Sequence, residues 1–436
     1  MKLRLTATLL VLAFSASLHA QARKGPPLLP PRTAPATATV AAVGQPGDWP
    51  TFRGADRSDI SRETGLLKTW PSSGPKKLWT YENAGFGYSG YAIAAGTLYT
   101  IGARDSVEYL IAVDANTGKE KWVSEVGPLL TNGWGDGPRS TPTVDGDRVY
   151  AMGGKGELVC VSAKDGKQIW NASMTAVGGK VPGWGYCESP LVDGPRVICT
   201  PGGGQGTLMA LDKMTGQKLW QSSEWTDGAQ YASAIAIEHG GVRQYVQLTM
   251  QSFAGVNAND GKVVWKSTFP GKTAVIPTPI YKDGQVYVAA GYGVGCKSVK
   301  LTSSAEPEFL YENTNMVNHH GGVILIGDYL YGYSDKGGWT CQDFKSGEVK
   351  WAERGKLGKG AVTAADGMLY LLEENSGTVV LIDASPNGWS ERGRFVLEPQ
   401  TTNRNPKGKV WTHPVVSHGK LYLRDQEFVS CFDLKG

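Results

Sequence analysis

The sequence predicts an all-β protein, an eight-bladed β-propeller built of four-stranded antiparallel blades. The 436-residue chain holds 58 Gly and 24 Pro, which favour turns, and 14 Trp and 18 Tyr, which favour strands. A unit of the form apolar-x-Asp-x-x-Thr-Gly-x-x-x-Trp recurs along it, and its final aromatic residues are 40 to 50 residues apart. That period is typical of a propeller blade of four short strands.

The first element is a leader. Lys2 and Arg4 precede an apolar run that begins at Leu9, and small residues follow up to Ala22, so residues 1–22 are predicted to be a secretory signal peptide. No Cys follows the apolar run where a lipid anchor needs one, and no later run of about 20 apolar residues could span a bilayer. We therefore expect an exported protein, periplasmic or secreted, without a transmembrane segment.

Residues 23–47 are rich in Pro, Ala and Thr and are predicted to be an extended linker, which leaves residues 48–436 as a single propeller domain. The formal net charge is +4, but five of the 44 basic residues and no acidic residue precede Asp48. The predicted domain is thus close to neutral, which excludes a polybasic nucleic-acid binder.

The repeat is clearest in Val113–Trp122 and Leu211–Trp220. A second marker, an apolar residue followed by Tyr shortly after a Gly turn, also occurs once per unit. In one unit Ile198 stands in place of the Tyr, and with it the markers number eight, which indicates eight blades. The repeat aromatics are Trp79, Trp122, Trp170, Trp220, Trp265, Tyr311, Trp351 and Phe395, and the marker tyrosines are Tyr99, Tyr150, Tyr245, Tyr287, Tyr331, Tyr370 and Tyr422. We expect the repeat aromatics to pack between adjacent blades.

Four of the Gly turns are Asp-Gly, at Gly146, Gly194, Gly284 and Gly367, so the first two strands of each blade are predicted to form a hairpin. The chain ends inside a repeat, after Cys431, without the closing Trp. Its missing half lies at the N-terminus, around Trp79. The N-terminal segment is therefore predicted to supply the outer strand of the last blade and to close the ring, which hides the sheet edges.

The six cysteines do not form an obvious disulfide framework. Cys160, Cys341 and Cys431 fall at one position of the repeat where other units have Ala or Gly, so they act as small buried residues. Cys187 and Cys199 flank the Asp193-Gly194 turn, and both a cross-strand disulfide and two free thiols remain open for them.

With these motifs the chain resembles the pyrroloquinoline quinone (PQQ) repeat family, whose members include quinoprotein alcohol dehydrogenases and BamB-type outer-membrane-protein assembly factors. The resemblance covers residues 48–436 and implies the eight-bladed fold. The dehydrogenase branch implies PQQ with calcium as cofactor, but its adjacent-cysteine disulfide has no counterpart here. The BamB-type branch implies a protein partner, but its lipidated Cys is missing.

A site is predicted where the loops that lead into the first strand of each blade gather at one mouth of the central channel. We call these segments the lead-in loops. They carry three Trp, three of the six His and several charged side chains, with Tyr88 and Tyr91 in the first blade. The candidate ligand-binding residues are Trp134, Asp136, Arg139, Trp184, Tyr186, Glu188, Tyr231, His319, His320, Lys359, Trp411 and His413.

One interpretation is a pocket whose aromatic faces hold a flat or sugar-like ligand while charged groups orient it. The other is that the aromatics fill gaps between blades and that Asp136 and Arg139 form an ion pair that orders a loop. His319 and His320 do not indicate a metal site, because adjacent residues on a strand point to opposite faces. No metal-binding spacing occurs elsewhere.

The sequence favours an exported binding or scaffold module for a small molecule, a glycan or a protein over an enzyme. The alternative is a PQQ-dependent dehydrogenase of alcohols or sugars. A third hypothesis is a cofactor-free carbohydrate-active enzyme that uses Glu188, Asp136 or His319. No residue is assigned a catalytic role.

Overall fold

Residues 47–436 are the part of the chain that the computed structural model describes. They form eight antiparallel sheets of four strands, one per predicted blade, arranged as a β-propeller, with one short 3-10 turn at Thr175–Val177. None of their helices is long and apolar enough to cross a membrane. The predicted signal peptide, residues 1–22, and all but the last residue of the predicted linker 23–47 lie outside the described residues.

Two strands precede the blades: β1 (Ile60–Ser61) and β2 (Lys77–Tyr81). The strands of blades 1 to 4 are β3 (Ala92–Ala94), β4 (Thr97–Arg104), β5 (Val107–Asp114), β6 (Glu120–Pro128); β7 (Thr143–Asp145), β8 (Arg148–Met152), β9 (Glu157–Ser162), β10 (Gln168–Ser173); β11 (Leu191–Asp193), β12 (Arg196–Cys199), β13 (Met209–Asp212), β14 (Lys218–Gln221); and β15 (Ile235–His239), β16 (Val242–Leu248), β17 (Ser252–Asn257), β18 (Val263–Thr268).

The strands of blades 5 to 8 are β19 (Ile280–Lys282), β20 (Gln285–Ala290), β21 (Gly295–Lys300), β22 (Glu308–Asn313); β23 (Val323–Ile326), β24 (Tyr329–Ser334), β25 (Gly338–Asp343), β26 (Val349–Glu353); β27 (Gly360–Ala365), β28 (Met368–Glu373), β29 (Thr378–Asp383), β30 (Glu391–Val396); and β31 (Val415–Ser417), β32 (Lys420–Asp425), β33 (Phe428–Asp433). Consecutive strands pair within each blade, and β1 adds a fifth, parallel strand to blade 7 beside β27.

The Asp-Gly turns join the first two strands of blades 2, 3, 5 and 7, as predicted. Gly284 and Gly367 have φ of +81° and +77°, and the aspartates before them, Asp283 and Asp366, are also left-handed, with φ of +50° and +51°. Two successive residues with positive φ are typical of the type I′ turn, whose twist matches that of the flanking strands.

The repeat aromatics lie between blades, which confirms the prediction. In blade 2 the Trp170 indole N–H donates to the carbonyl of Lys213 in the repeat turn of blade 3, at 3.0 Å. A Cβ on Gly216 of that turn would come within 2.7 Å of the Trp170 ring, so only glycine lets the ring lie flat on the turn. The repeat Gly therefore leaves the space in which the Trp of the preceding blade packs.

The Asp and Thr of the repeat hold the same turn from within. Asp212 Oδ1 accepts bonds from the Met214 and Thr215 amides and from the Thr215 hydroxyl, at 2.9 to 3.0 Å. The Thr215 hydroxyl bond is the largest of the causes that lower the pKa of Asp212. The motif thus encodes a rigid platform for the neighbouring indole.

The ring closes as the sequence predicts. Strand β2 pairs with β33 and completes blade 8, with Trp79 opposite Cys431. The Trp79 ring then covers Gly118 in the repeat turn of blade 1, where a Cβ would lie 2.7 Å away. The first and last blades are joined by the same contact that joins the others.

All six cysteines are free thiols. Cys160, Cys341 and Cys431 are buried and lie opposite the repeat Trp of their own blades, as expected. The cross-strand disulfide between Cys187 and Cys199 does not form, because the hairpin register pairs Leu191 with Ile198 and leaves Cys187 in the loop before the hairpin.

An unpredicted feature is that residues 47–61 run through the middle of the ring; we call them the central segment. The Trp49 amide and carbonyl bond to Ile93 of blade 1, at 2.8 and 2.7 Å, and the Pro50 carbonyl accepts from Val144 of blade 2. The segment then turns and leaves as β1 along blade 7. The centre of the propeller is therefore filled by the chain itself.

Candidate ligand-binding cavity at the channel mouth

The lead-in loops and the central segment enclose a cavity of about 340 Å³. Seven of the eight blades contribute to its lining, all but blade 7, and most lining side chains are aromatic or apolar. The lining residues on which the site depends are Trp49, Phe52, Arg53, Asp59, Tyr88, Tyr91, Trp134, Arg139, Trp184, Cys187, Tyr231, Thr278, Tyr292, His319, His320, Gly322, Trp411 and His413.

Eight of the twelve candidate residues line this cavity, together with Tyr88 and Tyr91. They are Trp134, Arg139, Trp184, Tyr231, His319, His320, Trp411 and His413. Equivalent loop positions far apart in sequence therefore do meet at one mouth. Whether they bind a ligand stays a prediction.

Glu188 and Tyr186 lie outside the cavity, contrary to expectation. Glu188 is 1% exposed, and its carboxylate accepts from the amide and the hydroxyl of Thr200, at 2.6 and 2.9 Å. Burial raises its pKa to about 7. Tyr186 is equally buried and donates its hydroxyl to the Pro201 carbonyl, at 3.0 Å. Both side chains hold blade 3 together instead of facing the mouth.

Asp136 and Lys359 also lie outside the lining. Asp136 accepts from the Asn132 amide at 2.7 Å and orders its own loop. Lys359 pairs with Asp335 at 2.6 Å and stands behind His319, with Nζ and Nδ1 3.3 Å apart. Lys359 therefore borders the cavity through a lining residue.

The ion pair between Asp136 and Arg139 is absent. Arg139 donates instead to the carbonyls of Gly137 and Gly135, at 2.8 and 2.7 Å, and its guanidinium lies 5.1 Å from the centre of the Tyr88 ring. These contacts fix a cation over an aromatic face at the rim. Exposed Trp134 extends the rim on the same side, and the Tyr88 hydroxyl donates to its carbonyl, at 3.1 Å.

The aromatic walls are themselves ordered by ring contacts. Tyr88 and Trp411 lie 5.0 Å apart between ring centres, and Trp184 and Tyr231 lie 5.7 Å apart, edge to face. Such pairs cost little entropy to hold in place because the rings are stiff. The walls are therefore formed before any ligand arrives.

Both members of the His319-His320 pair line the cavity, with ring centres 5.3 Å apart. The expectation of opposite directions is wrong because the pair lies in the loop before β23 and not in a strand. The His319 Nε2 atom lies 2.8 Å from the Tyr292 hydroxyl. Burial lowers the pKa of His319 to about 4 and that of His320 well below its ordinary value, so both imidazoles are neutral near pH 7.

The floor comes from the central segment, which the sequence analysis missed. Phe52 packs edge to face against His413, with ring centres 5.7 Å apart, and Arg53 Nη1 lies 3.6 Å from Asp59 Oδ2. Arg53 and Asp59 are buried, and both have left-handed backbone, with φ of +64° and +67°. A buried ion pair on such a backbone persists only where surrounding contacts fix it.

Those contacts reach across the ring. Arg53 donates to the Val323 carbonyl of blade 6, at 2.7 Å. Arg57, also left-handed, donates to the carbonyls of Ala234, Ser189 and Pro190, at 2.6, 2.9 and 2.7 Å. The only sequence signal of this role was the concentration of Arg, Asp and aromatic residues just before the first repeat.

Six lining residues carry a buried polar atom that has no hydrogen-bond partner within residues 47–436. An unpaired buried polar atom costs about 1–3 kcal/mol, so these atoms require a partner within the cavity, either water or a ligand. The atoms are Trp49 Nε1, Asp59 Oδ2, Tyr91 OH, Thr278 Oγ1, His320 Nδ1 and His413 Nδ1. The other ring nitrogen of His320, Nε2, lies 3.3 Å from Glu374 Oε2. The cavity thus combines apolar walls with unsatisfied hydrogen-bonding capacity.

The donor set does not fit calcium. Calcium takes 6–8 oxygen ligands, several of them carboxylates. The cavity lining offers one carboxylate, Asp59, which is already paired with Arg53. Within residues 47–436, no group of three or more His, Cys, Asp or Glu side chains is placed to hold a metal ion. These residues therefore do not provide a site for PQQ with calcium.

Comparison with known proteins agrees with the fold. The chain is similar to BamB from Moraxella catarrhalis, with 15% identity, a TM-score of 0.60 and coverage of 82% of this chain and 97% of that one. It is similar to the quinohemoprotein alcohol dehydrogenase from Comamonas testosteroni, with 14% identity, a TM-score of 0.61 and coverage of 91% and 82%. It is also similar to Sqt1 from Saccharomyces cerevisiae, with 13% identity, a TM-score of 0.58 and coverage of 83% and 100%.

Likenesses at such identities show the fold alone. No curated protein matches the chain. A family model described as "Outer membrane protein assembly factor BamB" (PQQ_2) matches residues 71–353. Because that match spans more than half of the chain, and because the described residues form the eight-bladed propeller that the PQQ-like repeat predicts, the chain belongs to the BamB assembly-factor family.

Proposed function

We propose that the chain is a binding module that holds a small molecule in the cavity at the channel mouth. The observation that carries the proposal is the convergence of aromatic side chains from seven blades and the central segment on one cavity. Its volume of about 340 Å³ lies in the range of small-molecule sites, and such sites combine apolar walls with a few fixed polar groups.

The test is ligand binding measured by thermal shift and calorimetry with a panel of saccharides and with PQQ, with and without calcium. We expect at least one compound to raise the melting temperature, and we expect Trp134→Ala and Trp184→Ala to weaken its binding. Phe309→Ala is the matched control, because Phe309 is 60% exposed on the outer strand β22 and does not line the cavity. If no compound binds, or if the Trp variants bind as the control does, the proposal is wrong.

The alternative, a PQQ-dependent dehydrogenase, is supported by the fold likeness and by the flat aromatic walls. The charges of the lining are against it. PQQ carries several carboxylates, and among the described residues Arg139 is the one lining Arg or Lys that no carboxylate pairs. Reduction of an electron acceptor by the protein with PQQ, calcium and an alcohol or sugar would establish it. The third hypothesis, a cofactor-free carbohydrate-active enzyme, loses two of its three residues, since Glu188 and Asp136 do not line the cavity.

The family match favours a second role, a scaffold that holds a protein partner at a face of the propeller. The matching description names outer-membrane-protein assembly. Deleting the gene in its host and quantifying outer-membrane proteins tests this role, with reintroduction of the full-length gene as the control. Unchanged levels would exclude it without affecting the proposed cavity ligand.

A further inference from the structure

The imidazole of His413 has a fixed orientation. Its Nε2 lies 2.8 Å from the carbonyl oxygen of His320, and because a carbonyl only accepts, Nε2 must carry the hydrogen. In the neutral ring the other nitrogen, Nδ1, is then an acceptor with a free lone pair. That atom has no partner among the described residues.

A second acceptor faces it. Asp59 Oδ2 lies 3.7 Å from His413 Nδ1, and it is also buried without a hydrogen-bond partner in the part of the chain that the structure describes. Two acceptors at this separation cannot satisfy each other in the absence of a proton between them. Arg53 Nη1, at 3.6 Å from the same oxygen, is beyond hydrogen-bond distance. We call Asp59 Oδ2 and His413 Nδ1 the acceptor pair; it calls for a hydroxyl or amide hydrogen from a ligand.

Other unpartnered atoms around the cavity are hydrogen-bond donors, which require acceptors on the ligand. Trp49 Nε1 can only donate, whereas the hydroxyls of Tyr91 and Thr278 can donate or accept. All three side chains are more than nine-tenths buried. A ligand that satisfies the whole lining must therefore both donate and accept hydrogen bonds along its edge.

The charges of the lining compensate one another. Arg53 is paired with Asp59, and Lys359, behind His319, is paired with Asp335. His319 and His320 are neutral near pH 7, because burial lowers the pKa of both rings. Arg139 remains at the rim over Tyr88. Glu374 lies behind two lining residues: its Oε2 accepts from the Trp411 indole N–H at 2.9 Å and lies 3.3 Å from His320 Nε2. A neutral ligand suits these surroundings, whereas among the described residues a polyanion would meet one unpaired lining cation, Arg139, and this carboxylate.

We propose that the cavity binds a neutral saccharide, whose apolar ring face packs on the aromatic walls while one hydroxyl donates to the acceptor pair. The proposal rests on the proposed function and names its ligand class. Aromatic side chains bury the apolar face of a sugar ring, and the alternating hydroxyls supply both donors and acceptors. The floor of the site, and with it the specificity, would then come from the central segment.

The experiment is a glycan array of neutral and acidic saccharides probed with the full chain, followed by calorimetry with the soluble form of each bound glycan. Two substitutions isolate the acceptor at position 413. His413→Gln keeps an N–H donor near the position of Nε2 and removes the acceptor, while His413→Asn keeps an amide oxygen near the position of Nδ1. We expect binding to weaken about tenfold or more with His413→Gln and about threefold or less with His413→Asn.

Folding of both variants is checked by their melting temperatures without ligand, and Trp134→Ala, at an exposed rim residue, provides a binding variant that does not depend on the floor. Neutral glycans that bind with this pattern support the inference. Equal binding by the two His413 variants overturns the acceptor pair, and a preference for acidic glycans or PQQ overturns the neutral ligand. In both cases the small-molecule function stands if Trp134→Ala weakens binding. If no compound binds at all, both proposals are wrong.

Discussion

Replacing Arg57 by Leu tests whether the central segment holds the ring together. Arg57 is 4% exposed and donates to the carbonyls of Ala234, Ser189 and Pro190 in blades 3 and 4. Leu fills much of the same space and retains the strain of the left-handed backbone, since it too has a Cβ. The comparison therefore isolates the loss of the guanidinium.

The expected loss in the free energy of unfolding follows from the hydrogen bonds of Arg57. Two buried carbonyls, those of Ala234 and Ser189, lose their side-chain donor, whereas the Pro190 carbonyl keeps the Thr143 hydroxyl at 2.6 Å. Each unpaired acceptor costs about 1–3 kcal/mol. Removal of a buried charge offsets part of this cost, because burial disfavours the guanidinium and lowers the pKa of Arg57 to about 10. We expect a loss of about 3–5 kcal/mol, a large fraction of the total stability of a protein.

The assay is urea unfolding followed by tryptophan fluorescence, with the free energy of unfolding extrapolated to water. Arg62→Leu is the matched control, since the Arg62 side chain is 84% exposed and makes only a surface pair with Asp56. That substitution should cost less than about 1 kcal/mol. If Arg57→Leu stays within about 1 kcal/mol of the control, the central segment is not a structural hub.

Three further predictions concern the repeat and a buried carboxyl. Trp220→Ala should cost about 3–5 kcal/mol in urea unfolding, because its ring is 9% exposed between blades, whereas Leu219→Ala, at a 50% exposed neighbour, should change stability by about 0.5 kcal/mol or less. Similar losses for both would contradict the packing role. Gly255→Ala should lower the melting temperature, at a cost of about 1–3 kcal/mol, because the new Cβ would lie 2.2 Å from the repeat indole of its own blade. Gly204→Ala is the control: nothing lies within 4 Å of its Cβ, so the melting temperature should not change. Burial raises the pKa of Glu188 from 4.5 to about 7, so the folded chain keeps a proton there that the unfolded chain releases, and stability should fall by up to about 3 kcal/mol between pH 4.5 and pH 7 and above. Urea unfolding of Glu188→Gln across this pH range should show a flatter slope than the wild type, and an equal slope would refute the assignment.

The fold could be predicted because the same contact between a Trp and a turn recurs in successive blades. The indole of Trp170 lies on a turn that Asp212 and Gly216 hold, and an equivalent contact recurs from blade to blade, so one motif read eight times fixes the period and the closure at Trp79. Errors at single positions, such as a turn residue replaced in one unit, do not change the count. Periodicity therefore gave the architecture without any tertiary information.

The mouth could be predicted only in part. Lead-in loops occupy equivalent positions, so the convergence of Trp134, His320 and Trp411 follows from the repeat. Glu188 comes from the same loop positions but turns into blade 3, because the Thr200 amide and hydroxyl satisfy its carboxylate there. The direction of one side chain depends on which partner is nearest, and a loop sequence does not encode that alone.

The central segment is where sequence reasoning failed, and the reason is physical. Residues 47–61 belong to no repeat, and their contacts are with residues distant in the chain, from Ile93, which pairs with Trp49, to Val323, whose carbonyl accepts from Arg53. The repeat motif builds the blades around the central segment. The floor of the cavity, in contrast, comes from Asp59 and Arg53, which lie outside every repeat. If the cavity binds a ligand, the residues that select it therefore lie less in the repeats than in the central segment that fills the ring. Exchanging lead-in loops should then change affinity while leaving the need for Asp59 intact.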